Sequence, residues 1–158
     1  MDQQFTKPKL LGNDSFLNLH KVAFLCSRSI PASIVLKCYD WAITEREKGT
    51  CIISGFHSQI EKDVFHFLAK GNQPIIMVLA RGMKKQFDLV IQKILDENRL
   101  LIMSPFDSKV IRVTKETADQ RNTVMIEIAD EIVVGYAQPN GSIFPLLQNQ
   151  KKPITNIR

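Results

Sequence analysis

Pro74-Ile-Ile-Met-Val-Leu-Ala80 is the stretch that decides the fold class. Ile75 to Ala80 is the longest unbroken apolar run in the chain, and no polar residue alternates within it. A strand with one wet face alternates polar and apolar residues. An unbroken run of this length reads instead as a strand covered on both faces, as in a parallel sheet flanked by helices. Four further runs have the same character. They are Lys21-Val-Ala-Phe-Leu-Cys26, Cys51-Ile-Ile-Ser54, Leu100-Leu-Ile-Met103 and Glu131-Ile-Val-Val-Gly135.

The segments between these runs repeat with helical period. Val35, Tyr39 and Ala42 fall at i, i+4 and i+7, with Leu36 and Ile43 beside them. Ile60, Val64, Phe67 and Leu68 form a second stripe, and Phe87, Val90, Ile91, Ile94 and Leu95 a third. Val124, Ile128 and Ala129 mark a fourth helix whose start is weak. Each stripe is wide enough to cover part of a sheet. Pro31 suits the first turn of the first helix, and Gly49 and Gly71 suit helix ends. Five strands alternating with four helices predict an α/β fold, a doubly wound parallel sheet with helices on both faces.

The chain has 158 residues, which predicts a single domain, 1–158, with a core of about 15–145. Residues 1–14 and 146–158 are polar and aperiodic and read as extended arms. Hydrophobic residues make up 44% and charged residues 23%, which excludes a disordered or collagen-like chain. No apolar run is long enough to span a bilayer, and no signal peptide is visible, so no membrane partner is expected. Three cysteines without a Cys-x-x-Cys pair fit reduced thiols in a cytoplasmic protein.

The net charge is +5 and the pI about 9.2. Excess charge alone speaks for solubility; an anionic partner requires it to be concentrated. Residues 81–85 hold Arg81, Lys84 and Lys85 without an acid, and residues 109–121 hold Lys109, Arg112, Lys115 and Arg121 against Glu116 and Asp119.

Open parallel sheets bind ligands beyond the carboxyl ends of their strands. Five loops fall at that edge: 27–31, 55–58, 81–84, 104–106 and 136–142. They contain hydroxyls, glycines and cations and no acid. Helix N-termini there offer N–H groups to phosphate. The candidate phosphate- or nucleic-acid-binding residues are Ser27, Arg28, Ser54, Gly55, His57, Ser58, Arg81, Lys84, Arg121, Asn122, Gly141 and Ser142. Each also has a plain structural reading: Ser27 and Ser58 can cap helices, and Gly55 and Gly141 can permit positive φ.

Other chemistries lack their residues. No Gly-x-Gly-x-x-Gly follows the first strand, no acid follows the second strand to hold a ribose, and no P-loop occurs. His20, His57 and His66 have no zinc-site spacing, and there is no Gly-x-Ser-x-Gly elbow. Cys26 reads as a reactive thiol near a helix N-terminus or, more plainly, as a buried inert one. Glu61 reads as a cap or dipole residue of the second helix. No catalytic residue, metal or cofactor is assigned.

Several stretches together resemble the Rossmann-like core of the DNA-processing protein A (DprA/Smf) family, within the superfamily that includes the "lonely guy" phosphoribohydrolases. Leu11-Gly12-Asn13 followed by Lys21-Val-Ala-Phe-Leu-Cys-Ser-Arg28 is similar to that family's opening Gly-Asn and its Val-Ala-Ile-Val-Gly-Ser-Arg loop. Ser54-Gly-Phe-His-Ser-Gln-Ile-Glu61 is similar to its Ser-Gly-x-Ala-x-Gly-Ile-Asp. Gln120-Arg-Asn-Thr-Val-Met125 with Ala129-Asp-Glu-Ile-Val-Val134 is similar to its Arg-Asn-Arg helix and following strand, and Asn140-Gly-Ser142 to its closing loop. The likeness spans about 10–145. Cys26 replaces a glycine of the pattern, Gln59 and Glu61 replace a glycine and an aspartate, and Thr123 replaces the second arginine.

The resemblance implies single-stranded DNA as partner, held through Arg28, Arg121, Asn122 and nearby cations, in DNA recombination or uptake. It leaves a homodimer open. Recombinase loading is not implied by the residues that remain. The alternative is a compact pocket for a phosphorylated nucleotide, as a sensor or a degenerate nucleotide-processing enzyme. No glutamate follows Ser142 where the phosphoribohydrolases carry theirs, so hydrolysis is not expected.

Overall fold

The structure is a computed structural model that describes residues 7–158. The first six residues of the expected amino-terminal arm lie outside the described residues.

The five apolar runs become parallel strands. They are β2 (Lys21–Cys26), β3 (Cys51–Ser54), β4 (Ile75–Val78), β5 (Leu100–Ser104) and β6 (Glu131–Tyr136). All residues of β2 to β5 are buried, as both-face coverage requires. The intervening helices are α1 (Ala32–Lys48), α2 (Gln59–Ala69), α3 (Leu89–Asp96) and α4 (Lys115–Ile128). A short α5 (Ile143–Leu147) follows β6.

Among the described residues the sheet has seven strands, not five. β1 (Lys9–Gly12) pairs antiparallel with β5 at one edge, and β7 (Ile154–Asn156) pairs parallel with β6 at the other. Both were hidden in segments expected to be arms. Each is short, edge-bound and largely exposed, so it carries no apolar run. A one-turn 3-10 helix, Asp14–Asn18, links β1 to β2.

The strand order is β1-β5-β4-β3-β2-β6-β7. The chain steps outwards from β2 through β3 and β4 to β5. It then crosses back to place β6 on the other side of β2. Two apolar layers follow from this path. One side of the sheet packs Phe24, Ile52, Ile75 and Ile102 with Cys38, Val64, Leu68 and Ile94 of α1, α2 and α3. The other packs Leu25, Ile53, Ile76 and Leu101 with Met125 and Ile126 of α4 and Ile143 of α5. Strand residues alternate between the layers because successive side chains point to opposite faces.

Local signals set the helix ends. Gly49 closes α1 in the left-handed region, φ 78°. Pro31 stands just before α1, at the cap position and not within the first turn. Asp88 caps α3 by accepting from the Ile91 N–H at 3.0 Å, so this helix starts after Phe87. Thr114 caps α4, whose polar opening turns run earlier than its apolar stripe suggests.

Candidate functional site

β2 and β6 are neighbours, yet their following loops leave in different directions, to α1 on one face and α5 on the other. The ends of such a pair leave a crevice. Here it is a cleft of about 530 Å³, lined by the loops after β2, β3 and β6 and by the start of α4.

The β2 and β6 loops are fastened together by Ser27. Its N–H donates to the Tyr136 carbonyl at 2.8 Å, and its hydroxyl oxygen accepts from the Gln138 N–H at 2.9 Å. Ser27 therefore does not cap α1, and α1 has no side-chain cap and no acid in its first turn. Arg28, exposed, follows at the cleft wall. The expectation for Ser58 as a cap matches the structure, since its hydroxyl accepts from the Glu61 N–H at 3.3 Å.

Arg121 is only 5% exposed and lines the cleft. α4 brings it there on a face that packs against the sheet edge with polar groups. Its Nε donates to Asn122 Oδ1 at 2.8 Å and its Nη1 to the Val78 carbonyl at 3.5 Å. Among the described residues Nη2 has no acceptor. Gly55 makes room for this guanidinium: a Cβ built there would lie 2.0 Å from Nη1. The small size of Gly55 is what matters, because its φ is not positive; in this turn the left-handed residue is Phe56, φ 48°.

Eight of the twelve expected residues line the cleft: Ser27, Arg28, His57, Ser58, Arg121, Asn122, Gly141 and Ser142. Ser54 is fully buried beneath it, its hydroxyl accepting from the Phe56 N–H, and Gly55 supports Arg121 from behind. Arg81 and Lys84 are not among the lining residues. Their loop is tied to the one after β5, where the Ser104 hydroxyl donates to the Arg81 carbonyl at 2.6 Å and the Gly82 N–H to the Val110 carbonyl at 2.7 Å. That places them by β4 and β5, away from the β2–β6 reversal.

The loops lack acids, but the cleft does not. Glu61 and Asp119 line it, together with Lys115. Glu61 is the more consequential. One carboxylate oxygen accepts from the N–H groups of His57 (2.9 Å) and Ser58 (3.2 Å), and the other from the Cys26 N–H at 3.0 Å. The Glu61 side chain thus takes the amides of His57 and Ser58 that lead into α2, and a ligand cannot use those two. The Ser58–Glu61 capping box was legible; the reach to Cys26 was not.

Burial pushes Glu61 above the usual carboxylate range, opposed by Arg121 and by the three N–H donors. Burial likewise lowers Arg121, with Glu61 and Asp119 opposing. His57 is held below the ordinary imidazole value by burial and by the cations Arg121, Arg28 and Lys62. It is therefore neutral at pH 7. Among the described residues no group of three or more histidine, cysteine, aspartate or glutamate side chains could hold a metal ion. Nor is any described helix long and apolar enough to cross a membrane.

This architecture, a mostly parallel sheet with helices on both faces and a polar cleft where strand order reverses, defines a Rossmann-like α/β protein. The fold is that of DNA processing protein A. The structure of that protein from Helicobacter pylori, described for its single-stranded DNA binding mode, superposes with a TM-score of 0.79 at 19% identity. The match covers 99% of this chain and 74% of that one. DNA processing protein A from Streptococcus pneumoniae gives 0.75 at 17% identity, covering 94% of this chain and 54% of that one. The molybdenum cofactor binding protein from Rippkaea orientalis shares the fold more loosely, with a TM-score of 0.58 at 10% identity over 86% of this chain and 74% of that one. No protein-family model matches the sequence, and no curated protein matches it.

Proposed function

We propose that this chain binds single-stranded DNA, with the sugar–phosphate backbone running through the cleft between the β2 and β6 loops. Arg121 carries the reading. A guanidinium this deeply buried is costly; Glu61 and Asp119 offset part of that cost, and among the described residues its Nη2 has no acceptor beside a solvent-open cleft. A phosphate oxygen is the natural acceptor for a planar guanidinium donor. Arg28 and Lys115 stand on the same cleft and supply further point charges. The fold match to a single-stranded DNA-binding protein over almost the whole chain supports the same partner. Three free cysteines suit a reducing compartment, so we place the activity in the cytoplasm.

Titration of a fluorescent oligonucleotide at two salt concentrations tests this. Contacts from Arg28, Lys115 and Arg121 to three phosphates lower the affinity by about tenfold or more between ~50 and ~200 mM salt. Arg121→Ala weakens binding at both. Absence of binding at low salt, or binding that ignores salt, overturns the proposal.

A phosphorylated mononucleotide is the second reading. It is favoured by the volume of the cleft, about 530 Å³, which is of small-ligand size, and by the Ser27–Gln138 bond that fixes two of its loops together. Thermal shift separates the two. Strong stabilisation by one mononucleotide and none by oligonucleotides selects the pocket reading.

A further inference from the structure

Two of the three cysteines meet beneath the cleft. Cys26 ends β2 and Cys38 lies in the second turn of α1. Both belong to the apolar layer on the α1 side of the sheet, whereas Cys51 belongs to the opposite layer. Gly135 of β6 marks how close the pair is. A Cβ built there would lie 3.0 Å from the Cys38 sulfur and 3.1 Å from the Cys26 sulfur. The two sulfurs thus crowd the one place on β6 that carries no side chain. Cys26, 3% exposed, also lines the cleft, whereas Cys38 is fully buried, so a small oxidant meets the pair at Cys26.

We propose that Cys26 and Cys38 form a dithiol that hydrogen peroxide oxidises to an intramolecular disulfide, joining the end of β2 to α1 directly below the loop that carries Ser27 and Arg28. The bond closes a ring around residues 27–37, which include Ser27 and Arg28. The inference stands on the thiol geometry and does not require the DNA-binding reading.

The chemistry balances with hydrogen peroxide as oxidant. The Cys26 sulfur attacks one peroxide oxygen; the S–O bond forms as the O–O bond breaks, and the other oxygen leaves as water. The Cys38 sulfur then displaces the hydroxyl from Cys26 as a second water, and the S–S bond forms. Two thiols lose two hydrogens and hydrogen peroxide is reduced to two waters. The pair is suited to supplying a thiolate. Hydrogen bonding from Cys26 pulls the Cys38 thiol below its ordinary value, while the bond to Cys38, and then burial, push Cys26 up. Cys38 therefore ionises first, and its thiolate takes up the proton of Cys26 as that sulfur attacks. Cys51 has no such neighbour, and burial pushes it up to about 12.

The full chain provides the test, because trypsin places the three cysteines on separate peptides, 22–28, 38–46 and 49–62. Native protein is treated with hydrogen peroxide, alkylated and mapped by mass spectrometry. The expected result is a linked pair of peptides 22–28 and 38–46, two of three thiols consumed, and peptide 49–62 alkylated as a free thiol after unfolding. Cys51→Ser retains the crosslink, and Cys38→Ser leaves Cys26 to oxidise to sulfenic or sulfinic acid. Recovery of Cys26 and Cys38 as free thiols, or of Cys51 within a disulfide, overturns the proposal. The mapping on the unsubstituted chain decides the matter even if a serine variant does not fold.

Discussion

Gly55 lies directly against the guanidinium of Arg121: a Cβ on Gly55 would stand 2.0 Å from Nη1 and 2.3 Å from Cζ. The loop after β3 therefore shapes the seat of a side chain delivered by α4, from the other side of the sheet. Gly55→Ala cannot be absorbed without moving Arg121, which is held at Nε by Asn122. Overpacking of this kind costs about 1–3 kcal/mol. The expected outcome is a folded protein with a lower urea midpoint and an oligonucleotide affinity reduced as far as in Arg121→Ala. Unchanged affinity in Gly55→Ala would show that the seat of Arg121 is not what binding uses.

Glu61 holds three loop amides, so its removal is felt first as lost stability. Glu61→Ala leaves the N–H groups of Cys26, His57 and Ser58 without their acceptor. An unsatisfied buried donor costs about 1–3 kcal/mol, and the cleft lets water repair part of the damage. A loss of roughly 3 kcal/mol or more in urea unfolding is expected. Glu61→Gln keeps one carbonyl oxygen and loses less. A cost below about 1 kcal/mol for the alanine variant would mean that the carboxylate does not organise these loops.

The parts of this fold legible in the sequence are those decided by burial on two faces. Runs such as Val22 to Cys26 and Ile75 to Val78 have no polar residue because neither face meets water. β1 and β7 escape such a reading because an edge strand has one neighbour. Leu10 and Leu11 are still 42% and 41% exposed when paired with β5. The opening of α4 escapes for the opposite reason. Arg121 and Asn122 are buried, so the inward face is polar and the apolar period is interrupted. Within the site, composition picked out Arg28 and Arg81 equally. Only the strand order separates them, since Arg28 follows β2 at the reversal and Arg81 follows β4. The hydrogen bond from Cys26 to Glu61 spans 35 positions, a separation at which no local spacing rule operates.

At the other end of the sheet, Asp130 makes stability fall in acid. Its carboxyl is held below the ordinary aspartate value by the Lys21 N–H, which donates at 2.8 Å, and by the Lys21 ammonium at 3.5 Å and His20. A depressed folded-state pKa contributes stability that is present above the unfolded value and lost as pH falls through the folded one. Asp130→Asn should therefore be less stable than the unsubstituted chain at neutral pH, with the gap closing as acid protonates Asp130. Urea midpoints measured from pH 7 down to the acid range check this. A gap that stays constant with pH would assign the aspartate's role to packing and not to its charge.

On the proposed reading, His57 links DNA binding to protons. In the free protein it is neutral at pH 7, because burial and the cations Arg121, Arg28 and Lys62 hold its pKa below the ordinary imidazole value. A phosphate entering the cleft brings negative charge to the same place and offsets those cations, so the imidazolium becomes less costly in the complex. The pKa is then higher bound than free, and binding takes up a proton. Affinity for an oligonucleotide consequently rises as pH falls through the interval between the two values. The direction is the same as for any anion binding beside a titrating histidine, so the discriminating control is His57→Gln. It should flatten the pH dependence in that interval while leaving salt dependence at pH 8 nearly intact, since the neutral ring contributes no charge there. Calorimetric titration in buffers of different ionisation enthalpy measures the proton directly. Equal heats in all buffers at a pH within the interval would place His57 away from the bound phosphate.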